Sequence, residues 1–265
     1  MPTYEAISVI PEVFGPYLGA SVLGRAQERG VFSFVAHDLR TWTHDRHRTV
    51  DDAPFGGGAG MLMKAGPIFE AVESVSAAGS AKPHVIFFSP CGARFDQAAA
   101  ERLSHEERLL FVCGRYEGMD ERAYSLADEV LSVGDYVLTG GELAALAVID
   151  AVVRLLPGAL GDDMSAVEES FSDGLLEYAQ YTRPATFRGM GTPPVLLSGD
   201  HGAVDLWRRR DALLRTAAWR PDLIEPGEVS REEHAWLESH AEDVERLRAS
   251  GMGTCEDVSP EGEGC

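Results

Sequence analysis

The segment EVLSVGDYVLTGGELAALAVIDAVVRLLPG, Glu129 to Gly158, joins a strand pattern, a glycine turn and a helix pattern. Its first part, EVLSVGDYVL, is rich in Val and Leu and predicts the end of a buried strand. The pair Gly140–Gly141 allows the backbone to turn sharply and to approach a ligand closely. The part that follows, GELAALAVIDAVVRLLPG, is apolar almost all round, so it predicts a buried helix that stops at Pro157–Gly158.

The chain before this segment repeats the alternation of strand and helix patterns. Such alternation predicts an α/β domain with a largely parallel sheet. The predicted strands are AISVI, VFSFVA, HVIFF, LLFVCG and EVLSVGDYVL, and the helix-like segments between them are AGPIFEAVESV, DQAAAERLS and MDERAYSLA.

The remainder of the chain differs in composition. Residues 161–180 are acidic and without clear periodicity, which predicts a linker or mobile loop. Two helical segments follow, GAVDLWRRRDALLRTAAW and REEHAWLESHAEDVERLRAS. We therefore predict an α/β domain over residues 1–160, an acidic linker over 161–180, a small helical domain over 181–250, and an acidic tail over 251–265 that we expect to be disordered.

Composition favours a cytoplasmic globular protein. Hydrophobic residues make up 45% of the 265 residues, and no apolar run reaches the roughly 20 residues that cross a bilayer. The N-terminus lacks the basic region of a signal peptide. The four cysteines show no zinc-ligand spacing, and we expect Cys91 and Cys113 to be reduced, partly buried thiols. The net charge of -20 disfavours a nucleic-acid partner, but RPATFRGMG, DLWRRRDALLRTAAWRP and HDRHR are local basic patches.

Four glycine-bearing stretches are candidates for a ligand site. FGGGAGMLMK lacks the GK[ST] of a phosphate loop, so a flexible surface loop is the safer interpretation. The other three each follow a predicted strand, where the carboxyl ends of parallel strands build a cleft. Singly each is no more than a strand-to-helix turn, but three in succession predict a ligand cleft. They are FFSPCGARFDQ, VCGRYEGMDER and VGDYVLTGGEL.

Several of these segments closely resemble the bacterial tRNA (guanine-N1)-methyltransferases. The resemblance extends to about residue 224 and rests on SPCGARFDQ, LLFVCGRYEGMDER, the segment Glu129 to Gly158, SFSDGLLEYAQYTRP, PPVLLSGDH and FGGGAGMLMK. It implies a SPOUT-type α/β domain with a parallel sheet and a trefoil knot, a helical tRNA-binding domain, and a homodimer. It also implies methylation of N1 of the guanosine immediately 3′ of the anticodon, a modification that supports maintenance of the reading frame.

The resemblance implies S-adenosyl-L-methionine as the cofactor, with Mg2+ as an optional second cofactor that has no assigned ligands. The chain has Ala144 where the family usually has proline. Turn geometry alone would also account for the glycines. The implied cofactor-binding residues are Phe88, Ser89, Pro90, Gly114, Tyr116, Glu117, Gly118, Val133, Gly134, Asp135, Tyr136, Val137, Leu138, Gly140 and Gly141.

Two catalytic residues are implied. Guanine N1 must lose its proton, which calls for a carboxylate base, and charge then spreads toward O6, which calls for a guanidinium. Glu169 occupies the position of the family's aspartate, with Glu168 and Asp173 as nearby substitutes. Arg154 matches the family's arginine, although an ordinary ion pair with Asp150 four residues earlier is the alternative.

The resemblance also assigns a set of arginines to tRNA phosphates, for which a solvated helix face is the alternative: Arg183, Arg188, Arg208, Arg209, Arg210 and Arg215. Two other function classes compete with the methyltransferase. One is a nucleotide-dependent phosphotransferase, which the missing Walker residues disfavour. The other is a non-catalytic RNA-binding module, which would need neither a ligand cleft nor a carboxylate and arginine pair.

Overall fold

A computed structural model of the protein describes residues 1–79, 81–160, 170–171, 174–224 and 229–250. The chain divides into two compact units, Met1–Asp163 and Met164–Cys265. The predicted acidic tail lies outside the described residues, as does most of the predicted linker.

The first unit is built on a five-stranded sheet in which all paired strands are parallel, in the order β2-β1-β6-β5-β7. The predicted α/β class with a parallel sheet is therefore confirmed. Its strands are β1 Thr3–Ser8, β2 Ser33–Asp38, β5 His84–Arg94, β6 Arg108–Val112 and β7 Glu129–Ser132, and a short antiparallel pair is formed by β3 Asp51–Asp52 and β4 Leu62–Met63.

Helices cover both faces of this sheet. Successive strand residues point to opposite faces, so Ile86 and Phe111 pack in one core while Phe87 and Leu110 pack in the other. Fully burying such a side chain contributes roughly 1.5–3 kcal/mol. The helices are α1 Phe14–Leu18, α2 Ser21–Glu28, α3 Ala65–Ala78, α4 Gln97–Ser104 and α5 Glu142–Val153.

Helix α5 is the buried helix that the sequence predicts, with two differences. It ends at Val153, before Pro157, and the chain continues in turns to Gly158. One stripe of the helix also faces outward, where Leu143 is 59% exposed. The helix therefore has an apolar stripe that the described residues of this chain leave exposed.

A buried ion pair closes the end of the sheet opposite the carboxyl ends of the strands. Arg108 Nε donates to Glu5 Oε2 at 2.6 Å, and its terminal nitrogens donate to the carbonyls of Val75, Ser76 and Ala81. Burial by itself would raise the pKa of Glu5, but hydrogen bonds from His37 and Arg108 outweigh burial and lower that pKa. Arg108 thus caps the last carbonyls of α3 while remaining paired.

The second unit is mainly helical and has its own core, in which Leu175, Leu213, Leu237 and Val244 are buried. Its helices are α6 His201–Trp219, α7 Arg231–Ser239 and α8 Ala241–Ala249, and a short hairpin is formed by β8 Thr186–Phe187 and β9 Met190–Gly191.

Two segments that the sequence predicts to be single α-helices have a different structure. The segment REEHAWLESHAEDVERLRAS is two helices, because His240 leaves the helical conformation and its ring stacks on Trp236 at 4.2 Å between centroids. The segment MDERAYSLA forms a 3-10 helix over Glu121–Leu126, and Asp120 caps its start, where the carboxylate accepts from the Arg122 N–H. The helix-like pattern did not distinguish these forms.

Candidate active site

The carboxyl ends of β5, β6 and β7 meet around a cleft of about 280 Å3. Every predicted cofactor-binding residue lines it except Asp135, whose side chain is exposed and lies outside the lining. Residues that the sequence did not predict also line the cleft: Arg115, Met119, Tyr124, Leu131, Ser132, Thr139 and Ala144.

The loop after β6 is tied to both of its neighbours. Gly114 C=O accepts from the Gly141 N–H at 2.9 Å, and Arg115 forms an antiparallel bridge with Gly140. On the other side, the Glu117 N–H donates to Met61 C=O at 3.0 Å. The cleft loops therefore hold one another in place through their backbones.

The loop after β7 differs from its prediction. The strand stops at Ser132, so the apolar residues Tyr136 and Val137 are not part of it and are 58% and 90% exposed. Gly134, at φ +143°, turns the chain, and a Cβ there would lie 2.6 Å from the Tyr136 ring. The exposed apolar side chains at the cleft indicate a surface that a ligand or a second protein chain covers.

The Gly140–Gly141 pair provides room that a side chain would fill. A Cβ on Gly140 would lie 2.4 Å from Glu142 Oε2, and one on Gly141 would lie 3.0 Å from the Cα of Cys113. At this edge of the cleft, a ligand can therefore approach the backbone amides and carbonyls closely.

The segment SPCGAR is part of β5 and not a simple turn. Strand β5 continues to Arg94 with a register shift between Phe88 and Ala93, since both pair with Leu131. Residues between them bulge from the sheet toward the cleft. Cys91 in this bulge is exposed, with its Sγ 3.0 Å from Ser89 Oγ, so its predicted partial burial was wrong.

Cys113 is buried as a hydrophobic core residue. Burial raises the pKa of its thiol, and the neighbouring Glu142 raises it further. A thiol held in the protonated form is a poor nucleophile. We therefore assign Cys113 a packing role.

Sequence reasoning missed Glu142, which is only 2% exposed. Its Oε1 accepts a hydrogen bond from Ser8 Oγ at 2.6 Å and from Arg115 Nε at 3.1 Å. Its Oε2 has no hydrogen-bond partner among the described residues. The position of Glu142 directly after the double glycine was visible, but Ser8 lies too far away in the sequence for the pattern to reveal the contact.

The segment FGGGAGMLMK forms an exposed loop that leads into β4, with Phe55 fully exposed. The surface-loop interpretation therefore holds for its first residues. Its last glycine, Gly60, packs against the side chain of Glu117, since a Cβ there would lie 2.3 Å from Glu117 Cγ. The loop thus ends against the cleft.

Of the two predicted catalytic residues, Arg154 lies among the described residues and Glu169 does not. Arg154 is half-buried at the carboxyl end of α5, where its N–H donates to Asp150 C=O at 3.2 Å. The Asp150 carboxylate accepts a hydrogen bond from the Tyr17 hydroxyl. Glu169, Glu168 and Asp173 lie outside the described residues.

The six predicted tRNA-binding arginines fall into two groups in the second unit. Arg183, Arg188 and Arg210 are exposed. Arg188 and Arg210 also lie over the rings of Phe187 and Trp236, at 5.3 and 5.2 Å. The other three are half-buried. Arg209 pairs with Glu233 at 2.8 Å, Arg215 with Asp211 at 3.0 Å, and Arg208 lies over the Tyr178 ring at 4.8 Å.

A parallel α/β sheet with a glycine-lined cleft at its carboxyl edge defines a class of proteins that bind nucleotide-like ligands. A family model described as tRNA (Guanine-1)-methyltransferase TrmD matches residues 3–226. The chain belongs to this family.

Individual relatives agree with the family model. The chain is 54% identical over 225 residues to a tRNA (guanine-N(1)-)-methyltransferase of Heliobacterium modesticaldum, covering 83% of each chain. It is 49% identical over 235 residues to enzymes of the same name from Bacillus cereus and Bacillus anthracis, covering 88% of this chain and 96% of theirs.

No helix in the described ranges is long and apolar enough to span a membrane. Within the same ranges, no three His, Cys, Asp or Glu side chains are grouped to hold a metal ion.

Proposed function

We propose that this protein transfers a methyl group from S-adenosylmethionine to N1 of the guanosine immediately 3′ of the anticodon in tRNA. The observation that carries the proposal is the cleft, where bare backbone at Gly114, Gly140 and Gly141 converges in a chain of this family. Because tRNA is the proposed substrate, the proposed location is the cytoplasm.

Two residues are proposed to act on the guanine. When bound, S-adenosylmethionine supplies an electrophilic methyl group. Glu169 would accept the N1 proton as general base, which makes N1 nucleophilic. Arg154 would stabilise the negative charge that develops toward O6. A carboxylate without a guanidinium would leave that charge uncompensated, so the two residues act on the same step.

The proposed reaction is tested by methylation of a tRNA transcript with labelled S-adenosylmethionine. We expect label at the guanosine 3′ of the anticodon, and none when adenosine replaces it. A chelator and added Mg2+ in the same assay test the optional metal. Failure of the protein to bind S-adenosylmethionine by calorimetry would reject the methyltransferase and favour a non-catalytic RNA-binding module.

The proposed assembly is a symmetric homodimer, and the proposed topology of the first unit is the SPOUT-type knot. The outward stripe of α5, with Leu143, and the exposed Tyr136 and Val137 support a covering partner. Membership of the family supports the topology, with which the all-parallel sheet agrees.

We expect light scattering to give twice the mass of the chain at working concentration. Leu143→Glu should shift the mass toward the monomer and lower activity, because it places a charge on the proposed interface. Arg25→Gln on the surface of α2 serves as the control, because it changes the net charge by the same one unit. A wild-type monomer with full activity at low concentration would contradict the dimer.

The proposed tRNA surface of the second unit contains fewer arginines than the six that the sequence suggests, namely the exposed Arg183, Arg188 and Arg210. We expect Arg188→Gln to weaken tRNA binding and to reduce the salt dependence of log K by about one phosphate contact. Arg215→Gln is the matched control, because Arg215 is already paired with Asp211. Binding isotherms at several salt concentrations measure the tRNA affinity and its salt dependence for each variant. Equal effects of the two variants would argue against a tRNA surface formed by the exposed arginines alone.

A further inference from the structure

Two charged side chains of opposite sign line the cleft in the part of the chain that the structure describes. Among the described residues that line it, Arg115 is the only cationic side chain and Glu117 is the only anionic one. A charged ligand that enters this cleft therefore meets a single guanidinium.

Arg115 is held at its backbone and at one side of its guanidinium. Its N–H lies 3.1 Å from Met63 Sδ, and its backbone forms the bridge with Gly140. Its Nε donates to the buried Glu142, which Ser8 orients from the end of β1. These contacts reduce the freedom of a side chain that would otherwise lose considerable entropy on binding a ligand.

The terminal amino groups of Arg115 remain available. Neither of them donates a hydrogen bond to a described residue, and the side chain is 27% exposed. A guanidinium held through Nε still presents four N–H donors in one plane. That arrangement suits a carboxylate, which accepts two parallel hydrogen bonds.

We infer that Arg115 binds the carboxylate of the amino-acid part of the methyl donor, with Glu142 and Ser8 as positioning residues. The inference rests on the proposed function. S-adenosylmethionine carries a sulfonium, an ammonium and one carboxylate, so its only anionic group matches the only cation among the described residues that line the cleft. A tRNA phosphate is the competing anion, but Arg115 is joined to Gly114 and Gly140 inside the cofactor cleft.

Wild-type protein supplies the first test, by calorimetric titration with three nucleosides. S-adenosylhomocysteine has the carboxylate, its decarboxylated analogue keeps the amino group, and 5′-methylthioadenosine lacks the amino-acid part. We expect loss of the carboxylate to weaken binding about 10- to 100-fold. Equal affinity for S-adenosylhomocysteine and its decarboxylated analogue would overturn the inference while leaving the cofactor site intact.

The second test removes the guanidinium without leaving a buried carboxylate unpaired. Arg115→Met is made in a Glu142→Gln background and compared with Glu142→Gln alone, because an unpaired buried charge could unfold the protein. We expect affinity for S-adenosylhomocysteine to fall about 10- to 100-fold and affinity for 5′-methylthioadenosine to stay within about twofold. Thermal unfolding monitors the fold of each variant.

Arg122→Met is the matched control. Arg122 lies in the same segment but pairs on the surface with Asp120, where its guanidinium lowers the pKa of Asp120 to about 2. Arg122→Met should change neither the affinity for S-adenosylhomocysteine nor that for 5′-methylthioadenosine. Equal weakening of both nucleosides by Arg115→Met would show that Arg115 only shapes the pocket, and no change in either affinity would overturn the inference. Wild-type protein that binds neither nucleoside would overturn the cofactor site itself.

Discussion

Glu169→Gln is expected to lower the single-turnover rate of methyl transfer about 100- to 10,000-fold, with cofactor and tRNA binding retained. The amide cannot accept the N1 proton of guanine, so the nucleophile does not form. Single-turnover kinetics measure this effect directly, because they separate the chemical step from product release. Arg154→Ala should lower the same rate, since its proposed partner is the charge that develops on the guanine.

The neighbouring carboxylates provide matched controls for this prediction. Glu168→Gln and Asp173→Asn should retain the rate if Glu169 is the base, and Glu169→Asp should remain active because it restores the family's residue. A wild-type rate in Glu169→Gln with loss in either neighbour would assign the base to that neighbour. If Glu169→Gln, Glu168→Gln and Asp173→Asn all stay active, the N1 proton goes to another group or to water.

Gly141→Val is expected to weaken S-adenosylmethionine binding about 100-fold or more while the protein remains folded. The added Cβ would lie 3.0 Å from the backbone of Cys113, which cannot move aside as a flexible side chain would. The loops after β6 and β7 must then separate, and the cleft between them changes shape. Gly140→Val should act similarly through Glu142 and Arg115, whose atoms lie within 3.0 Å of its Cβ position.

The control for these substitutions is Gly66→Val in the first turn of α3, where the added Cβ would meet nothing within 4 Å beyond its chain neighbours and the helix's own backbone. Calorimetric titration gives the cofactor affinity of each variant, and thermal unfolding gives its stability. Undiminished cofactor affinity in both cleft variants would remove Gly140 and Gly141 from the binding site. If a variant loses cofactor affinity because it unfolds, its melting temperature will also be lower than that of the wild type.

Sequence patterns predicted the class of the fold and the location of the cleft. The short apolar runs predict strands because a strand buried on both faces must be apolar throughout. The glycine stretches predict a common edge because parallel strands place their carboxyl ends on the same side. These predictions failed where local structure departs from simple periodicity, as at His240, at the 3-10 helix after Asp120, and beyond Ser132.

The sequence by itself determined the parallel α/β architecture, the family and most of the cleft residues, since these depend on local periodicity and on short contiguous motifs. Only the tertiary structure decided which charges meet. Glu142 joins Ser8 and Arg115 across 134 and 27 positions of sequence, and Arg108 joins Glu5 across 103. The physical reason is that a buried charge must find its partner wherever the packed strands bring one within hydrogen-bond distance, and sequence spacing carries no record of that distance.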